Sequence, residues 1–223
     1  MLLAIDTSTE WIGMALFNGD QIISEQIWKS HNYHTVDLVP AIERMLKQST
    51  IAKKDLTGLG IALGPGSFTG LRIGMAVTKG LALALNIPVV GIPSLDILAA
   101  AQPAMDIPLL AILQAGRGRL ACMRYYSKGD GWVPQGEMQV GDARELGQLI
   151  DAPIYICGEM TPQEKQILGR KWKTVRMASP SQCLRRPAVL AELAWGKLQS
   201  GEAADVNALA PIYIHTASAI PGV

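Results

Sequence analysis

One order of periodic segments occurs twice along this chain, and few folds accommodate that. Residues 2–6, 12–17 and 21–28 read as three short strands, separated by residues 7–10 and by Asn18-Gly19-Asp20, a hairpin turn signal. From Thr35 to Gln48 the apolar residues Leu38, Val39, Ile42, Met45 and Leu46 recur at helical spacing. Glu43, Arg44 and Lys47 lie off that face, so an amphipathic helix is expected. A buried-type strand at 59–63, a glycine-rich turn at 64–70, a helix over 71–85 and a strand at 89–92 complete the order βββαβαβ. After the turn-rich stretch 102–108 the order returns. Strands are expected at 109–113, 120–126 and 133–140, then a helix opened by Asp142 with Glu145 in capping-box spacing. A strand at 154–157, a helix opened by Thr161-Pro162, a strand at 174–177 and a closing helix at 187–199 follow.

Two βββαβαβ units in tandem are the pattern of the duplicated ribonuclease-H-like fold, the α/β architecture of the actin-like ATPase superfamily, with lobes expected at 1–102 and 103–223. The length of 223 residues fits, at roughly 150 residues per domain. With 49% hydrophobic residues, two modest cores are within reach. A formal net charge of +1 argues against autonomous nucleic-acid binding, which needs a marked positive surplus. Arg117, Arg119, Arg124 and Lys128, with Lys165, Arg170, Lys171, Lys173 and Arg176, are candidates for a second-lobe basic patch, but tRNA contact is expected to be weak or indirect. No apolar run approaches the roughly 20 residues needed to cross a bilayer. Asp6 interrupts the first apolar run, and Cys122, Cys157 and Cys183 are scattered thiols that suit a reducing compartment, so a cytoplasmic location is expected.

In ATPases of this fold the turn between the first two strands brings an acid and small residues to phosphate. Here it reads Asp6-Thr7-Ser8-Thr9: Asp6 could hold magnesium through water, and the other three offer hydroxyls and backbone donors. The same residue types also favour any tight turn. The corresponding second-lobe turn, Leu113-Gln114-Ala115-Gly116, has no carboxylate, and an amide is neither a base nor an anionic ligand. A later glycine cluster is reduced to Cys157-Gly158-Glu159. The cleft therefore reads as dismantled for phosphoryl transfer. A residual ATPase or small-molecule kinase is the alternative function, and a metallopeptidase the third. Against the latter, His31, His34 and Asp37 lack a His-Glu-x-x-His frame, so no metal is expected. The stretch Gly64-Pro65-Gly66-Ser67-Phe68-Thr69-Gly70-Leu71-Arg72-Ile73-Gly74 lacks a P-loop ending, and Ser67 lacks a Gly-x-Ser-x-Gly frame. Gly70 and Gly74, four apart, suit close approach of another helix better than anion binding. The helix that follows is apolar nearly all round, so one side faces the sheet and the other is free to meet a partner.

The start Leu3-Ala4-Ile5-Asp6-Thr7-Ser8-Thr9, His34 with Leu38-Val39-Pro40, and the run from Gly64 to Gly74 resemble the TsaB (YeaZ) family of bacterial tRNA threonylcarbamoyladenosine biosynthesis. Lys79-Gly80-Leu81-Ala82 and Ile87-Pro88-Val89-Val90-Gly91 strengthen the resemblance, which continues faintly to Pro211-Ile212-Tyr213-Ile214. His215 stands in place of the family's arginine, and Gln114-Ala115-Gly116 in place of its Asp-Ala-Arg. The resemblance implies a non-catalytic scaffold or activator. Its partners would be the transferase subunit TsaD and the small ATPase TsaE, with a homodimer when alone. No cofactor is required by that role; ATP or ADP is left as a ligand of the assembled complex. Two first-lobe helices would pack against their counterparts as a four-helix bundle. Carried onto this chain, the interface comprises Leu38, Val39, Ile42, Met45 and Leu46 from the first helix and Leu71, Gly74, Met75, Thr78 and Leu81 from the second. On that assignment Ile42→Glu or Met75→Asp abolishes docking and leaves the monomer folded.

Overall fold

The computed structural model describes residues 1–30, 34–116, 118–129, 131–171 and 174–214, without the side chains of His34, Thr35 and Lys171. Among the described residues ten strands form two five-stranded sheets of one topology. In the first, β1 (Leu2–Asp6) is central. The antiparallel strands β2 (Trp11–Phe17) and β3 (Ile22–Lys29) extend it on one side, and the parallel strands β4 (Gly58–Ala62) and β5 (Val89–Ile92) on the other. In the second, β6 (Leu109–Gly116) takes the same place between antiparallel β7 (Arg119–Lys128) and β8 (Gly131–Gly141) and parallel β9 (Ile154–Gly158) and β10 (Val175–Met177). The repeated order is thus a duplicated ribonuclease-H-like fold.

Both faces of the first sheet are covered, which is why β1 reads as a continuous apolar run. Leu3 and Ile5 point to a core shared with α1 (His34–Gln48) and α2 (Phe68–Leu85), while Leu2 and Ala4 point to a core shared with α6 (Pro187–Gln199). On the second sheet, α4 (Ala143–Gln148) and α5 (Pro162–Leu168) cover one face and α3 (Ser94–Ala100) the other. The Asp142 capping box and the helix start at Thr161-Pro162 form as expected, and Thr161 with Glu164 makes a second capping box.

Two elements depart from the sequence reading. The helix α3 was not foreseen between β5 and the turn-rich stretch; its Leu95, Leu98 and Ala99 pack against Leu109, Ala111 and Leu113 of the second sheet. The helix α6, expected within the lobe 103–223, lies on the first sheet. Each unit's closing helix therefore covers the other unit's sheet. The physical reason on the first sheet is a shallow groove of glycines. Cβ atoms built at Gly13, Gly58 and Gly60 would come within 2.6–2.8 Å of Pro187, Leu198 and Ala194, so α6 fits only because those positions are bare. Arg186 binds the Glu25 carboxylate on β3, and Ala188 N donates to Glu25 Oε1 (3.0 Å), fastening the start of α6.

The helix α2 starts at Phe68, three residues before the expected position, because Ser67 accepts from Gly70 N (3.3 Å) as its N-cap. It is long and apolar enough to cross a membrane by length and composition, yet Leu71, Gly74, Met75, Thr78 and Ala82 are buried in the protein. The close approach foreseen at Gly70 and Gly74 is real, but its partner is the β1–β2 turn and not another helix. A Cβ at Gly70 would collide with the Thr7 carbonyl oxygen, and one at Gly74 with Thr7 Oγ1. At Gly80, by contrast, a Cβ would meet open space. Substitution to alanine is accordingly expected to have opposite signs at the two ends of α2. In urea unfolding, Gly70→Ala should cost about 2 kcal/mol by overpacking, and Gly80→Ala should gain about 0.5–1 kcal/mol from helix propensity.

Candidate functional site

A cleft of about 1340 Å³ opens between the lobes, bounded by the start of α2 on one side and the start of α5 on the other. Its base is formed by Thr9, Gly158 and Glu159. Behind them Arg185 is buried, its side chain only 2% exposed. Nε donates to Asp6 Oδ2 (2.7 Å), one terminal nitrogen donates to Thr9 Oγ1 (2.9 Å), and the other binds Glu159 Oε1. Burial opposes the charge, but Asp6 and Glu159 outweigh it and hold the guanidinium ionised, above its ordinary pKa. Asp6 ends β1, Glu159 follows β9, and Arg185 precedes α6, so one cation joins three chain segments from both lobes.

The rest of the turn is equally occupied. Asp6 Oδ1 accepts from Ser8 N (2.9 Å) and Ser8 Oγ (2.5 Å), Thr7 Oγ1 donates to the Gly70 carbonyl (2.7 Å), and Ser67 N donates to the Ser8 carbonyl (2.6 Å). Asp6, Thr7, Ser8 and Thr9 are all buried. As nucleotide contacts they are therefore corrected: Asp6 has a guanidinium where hydrated magnesium would need to stand, and Thr7 and Ser8 are spent on α2. The magnesium nucleotide that the fold family implies does not fit this corner. Gln114, in the second-lobe turn, donates to Glu164 Oε2 (2.7 Å), which also accepts from Thr161 N (2.6 Å) at the start of α5.

Among the described residues no group of three His, Cys, Asp or Glu side chains is placed to hold a metal ion. His31, the side chain of His34, Arg117, Lys173 and His215 lie outside the described residues. The three cysteines are buried and free, and burial pushes the Cys122 thiol up to about 11. Of the basic-patch candidates, Arg119 and Arg124 turn back onto their own lobe, donating to the Val140 and Leu149 carbonyls.

The helix pair needs a larger correction. Leu38, Met45 and Thr78 are fully buried, and Ile42, Leu46, Leu71 and Met75 are at most 6% exposed, all in the chain's own interior. Gly74 is buried as well, and Leu81 is half-buried. Only Val39, 45% exposed, faces outward among the residues expected at the interface on α1. The sheet has claimed the apolar face of each helix, so Ile42→Glu or Met75→Asp would unfold the protein and could not report on docking. The outward face is instead made of Val36, Val39 and Pro40 on α1 and of Ala76, Gly80, Leu83 and Ala84 on α2, flanked by Ile73 and Val77, which are half-buried against the core. Val36 and Leu83 are each 68% exposed. Arg72 and Lys79, the charges on α2, are drawn aside by the segment after α6: Arg72 stacks on Phe68 and donates to Tyr213 Oη (3.1 Å), and Lys79 donates to the Asn207 carbonyl (3.2 Å). Sequence reading missed the roles of Arg185, Arg186, Glu25 and Glu159. The only sequence signal was the arginine pair placed directly before the helix-starting Pro187.

The fold places the chain in a defined class. It superimposes on "YeaZ from Pseudomonas aeruginosa" with a TM-score of 0.76 over 96% of this chain and 99% of that one, at 23% identity. Residues 21–164 match the family profile described as "TsaD: tRNA N6-adenosine threonylcarbamoyltransferase". A Legionella pneumophila (strain Corby) protein named tRNA N6-adenosine threonylcarbamoyltransferase is 26% identical over 84% of this chain and 58% of its own length. The chain is also 36% identical, over 98% of its length and 95% of the relative's, to the Bacillus subtilis (strain 168) "tRNA threonylcarbamoyladenosine biosynthesis protein TsaB". It belongs to the TsaB family.

The attachment of α6 yields a pH prediction. Burial raises the pKa of Glu25, but the hydrogen bonds from Arg186 and from Ala188 N outweigh it and hold the carboxyl below the ordinary 4.5. A lowered folded-state pKa contributes stability above the unfolded value and loses it as pH falls through the folded value. Thermal melts should therefore place Glu25→Gln below the unsubstituted chain near neutral pH, with the gap closing as pH falls below 4.5.

Proposed function

We propose that this chain is a non-catalytic, cytoplasmic subunit in tRNA threonylcarbamoyladenosine biosynthesis, docking a TsaD-type transferase through the outward face of α1 and α2. The observation that carries this reading is that face itself. On α2 it presents Ala76, Gly80, Leu83 and Ala84 to solvent without a charge among them, beside the half-buried Ile73 and Val77. Ala76, Gly80 and Ala84 recur four apart, the spacing of a ridge along a helix, and their small side chains let a second helix approach closely. Val36 and Val39 on α1 add apolar area beside it, and the desolvated centre of an interface is where such residues contribute most.

Kinship with both TsaB and the transferase supports a pseudo-symmetric pairing, in which equivalent helices of two related folds meet. The same face would serve a homodimer when the chain is alone. The Arg185 network supports the non-catalytic half of the reading, because it consumes the acid that a residual ATPase or kinase would need. ATP or ADP then belongs to the assembled complex, a TsaE-type ATPase joins it as a further partner, and tRNA contact by this chain is weak.

The test is Leu83→Glu. With Leu83 68% exposed, the isolated variant should melt with the unsubstituted chain. Co-purification with the cognate TsaD-type protein, and threonylcarbamoyl transfer by the mixture, should both be lost. A desolvated charge at the centre of the contact is expected to weaken binding at least ~30-fold, about 2 kcal/mol. Retention of co-purification and transfer by this variant would overturn the docking assignment.

A further inference from the structure

We propose that Arg185 is an internal cation that holds the two lobes closed, taking in this chain the mechanical place that a bound metal–nucleotide would take in a cleft of this shape. The corner contains two carboxylates contributed by different lobes, Asp6 from β1 and Glu159 from the residue after β9, together with the Thr9 hydroxyl. Carboxylates are acceptors only, and two of them sharing a buried corner repel unless a cation stands between them. A hard divalent cation would satisfy such oxygens, and would dissociate. The guanidinium satisfies them permanently: its planar fork sends Nε to Asp6 and its terminal nitrogens to Glu159 and Thr9.

The clamp is fixed from behind. Arg185 is followed by Arg186, the N-cap of α6, whose register on the first sheet is set by the Gly13, Gly58 and Gly60 groove and by the Arg186–Glu25 pair. The guanidinium cannot withdraw without moving α6. From the first lobe, Gly66 and Gly70 let the start of α2 lie directly against the Ser8 and Thr7 carbonyls of the turn that follows Asp6, which holds that turn in place. Nothing in this arrangement depends on a ligand, so the lobes are closed in the free chain and stay closed when a partner docks on the helix face.

Thermal melts and small-angle X-ray scattering on the full chain test this, using Arg185→Met, Glu159→Ala and the double variant, each with and without magnesium chloride and Mg-ATP. Removing one partner of a buried ion network leaves unpaired charge, so Arg185→Met should melt roughly 10 °C lower. The double variant should melt above Arg185→Met, because it removes one of the two stranded carboxylates. Glu159→Ala, which removes the second-lobe acceptor and keeps the Asp6 contact, should fold and show a larger radius of gyration than the unsubstituted chain. It supplies the test if Arg185→Met does not fold. The unsubstituted chain should melt within ~1 °C of itself across all ligand conditions. An Arg185→Met melting temperature within ~2 °C of the unsubstituted chain would overturn the proposal, as would an unchanged radius for Glu159→Ala. So would a Mg-ATP stabilisation of several degrees that Asp6→Asn abolishes.

Discussion

A guanidinium buried between two lobes has to be answered by carboxylates, and the position of Arg185 sets terms for much of this fold. It joins the end of β1, the residue after β9 and the segment entering α6 at one point. Breaking a buried pair of this kind costs about 3–5 kcal/mol, a large share of the 5–15 kcal/mol by which a domain is stable. The corner is thus a buried ion network that ties both lobes together at the base of the cleft.

Exchange of the closing helices extends the same logic. With α3 on the second sheet and α6 on the first, neither lobe owns a complete set of covering layers, and the two cores are folded through one another. That arrangement gives the outer helix pair a rigid base. Because the sheet has taken the apolar face of α1, what remains on its outside is a narrow band of Val36, Val39 and Pro40 amid Glu43, Arg44 and Lys47. The band on α2 is wider because α2 is apolar on more than one side, and because Arg72 and Lys79 are drawn off it by Tyr213 and Asn207.

Much of the architecture was legible in the sequence because it is written in local periodicity and turn chemistry: Asn18-Gly19-Asp20 turns a hairpin, the Asp142 box and the Thr161-Pro162 start open helices, and 59–63 reads as a buried-type strand. What was not legible is what depends on partners distant in the chain. Leu38, Ile42 and Met45 form an apolar stripe whether a sheet or another protein covers it, and periodicity cannot say which. Ser94–Ala100 is too short for a helical period to declare itself, so α3 went unread. The strand glycines Gly58 and Gly60 leave room for a close neighbour, but nothing local says that the neighbour is α6, well over a hundred residues away. Arg185 pairs with Asp6 across a separation of 179 residues, and no motif spacing records that.

The account rests on a division of labour: the outer helix face meets the partner and the cleft does not. Hydroxyl-radical footprinting of the chain, alone and with its cognate TsaD-type transferase, reads both surfaces in one sample. The account predicts that oxidation of Val36, Val39 and Leu83 falls on complex formation while that of Met160, which lines the cleft, is unchanged. Protection of Met160 with Val36 and Leu83 still fully reactive would contradict it.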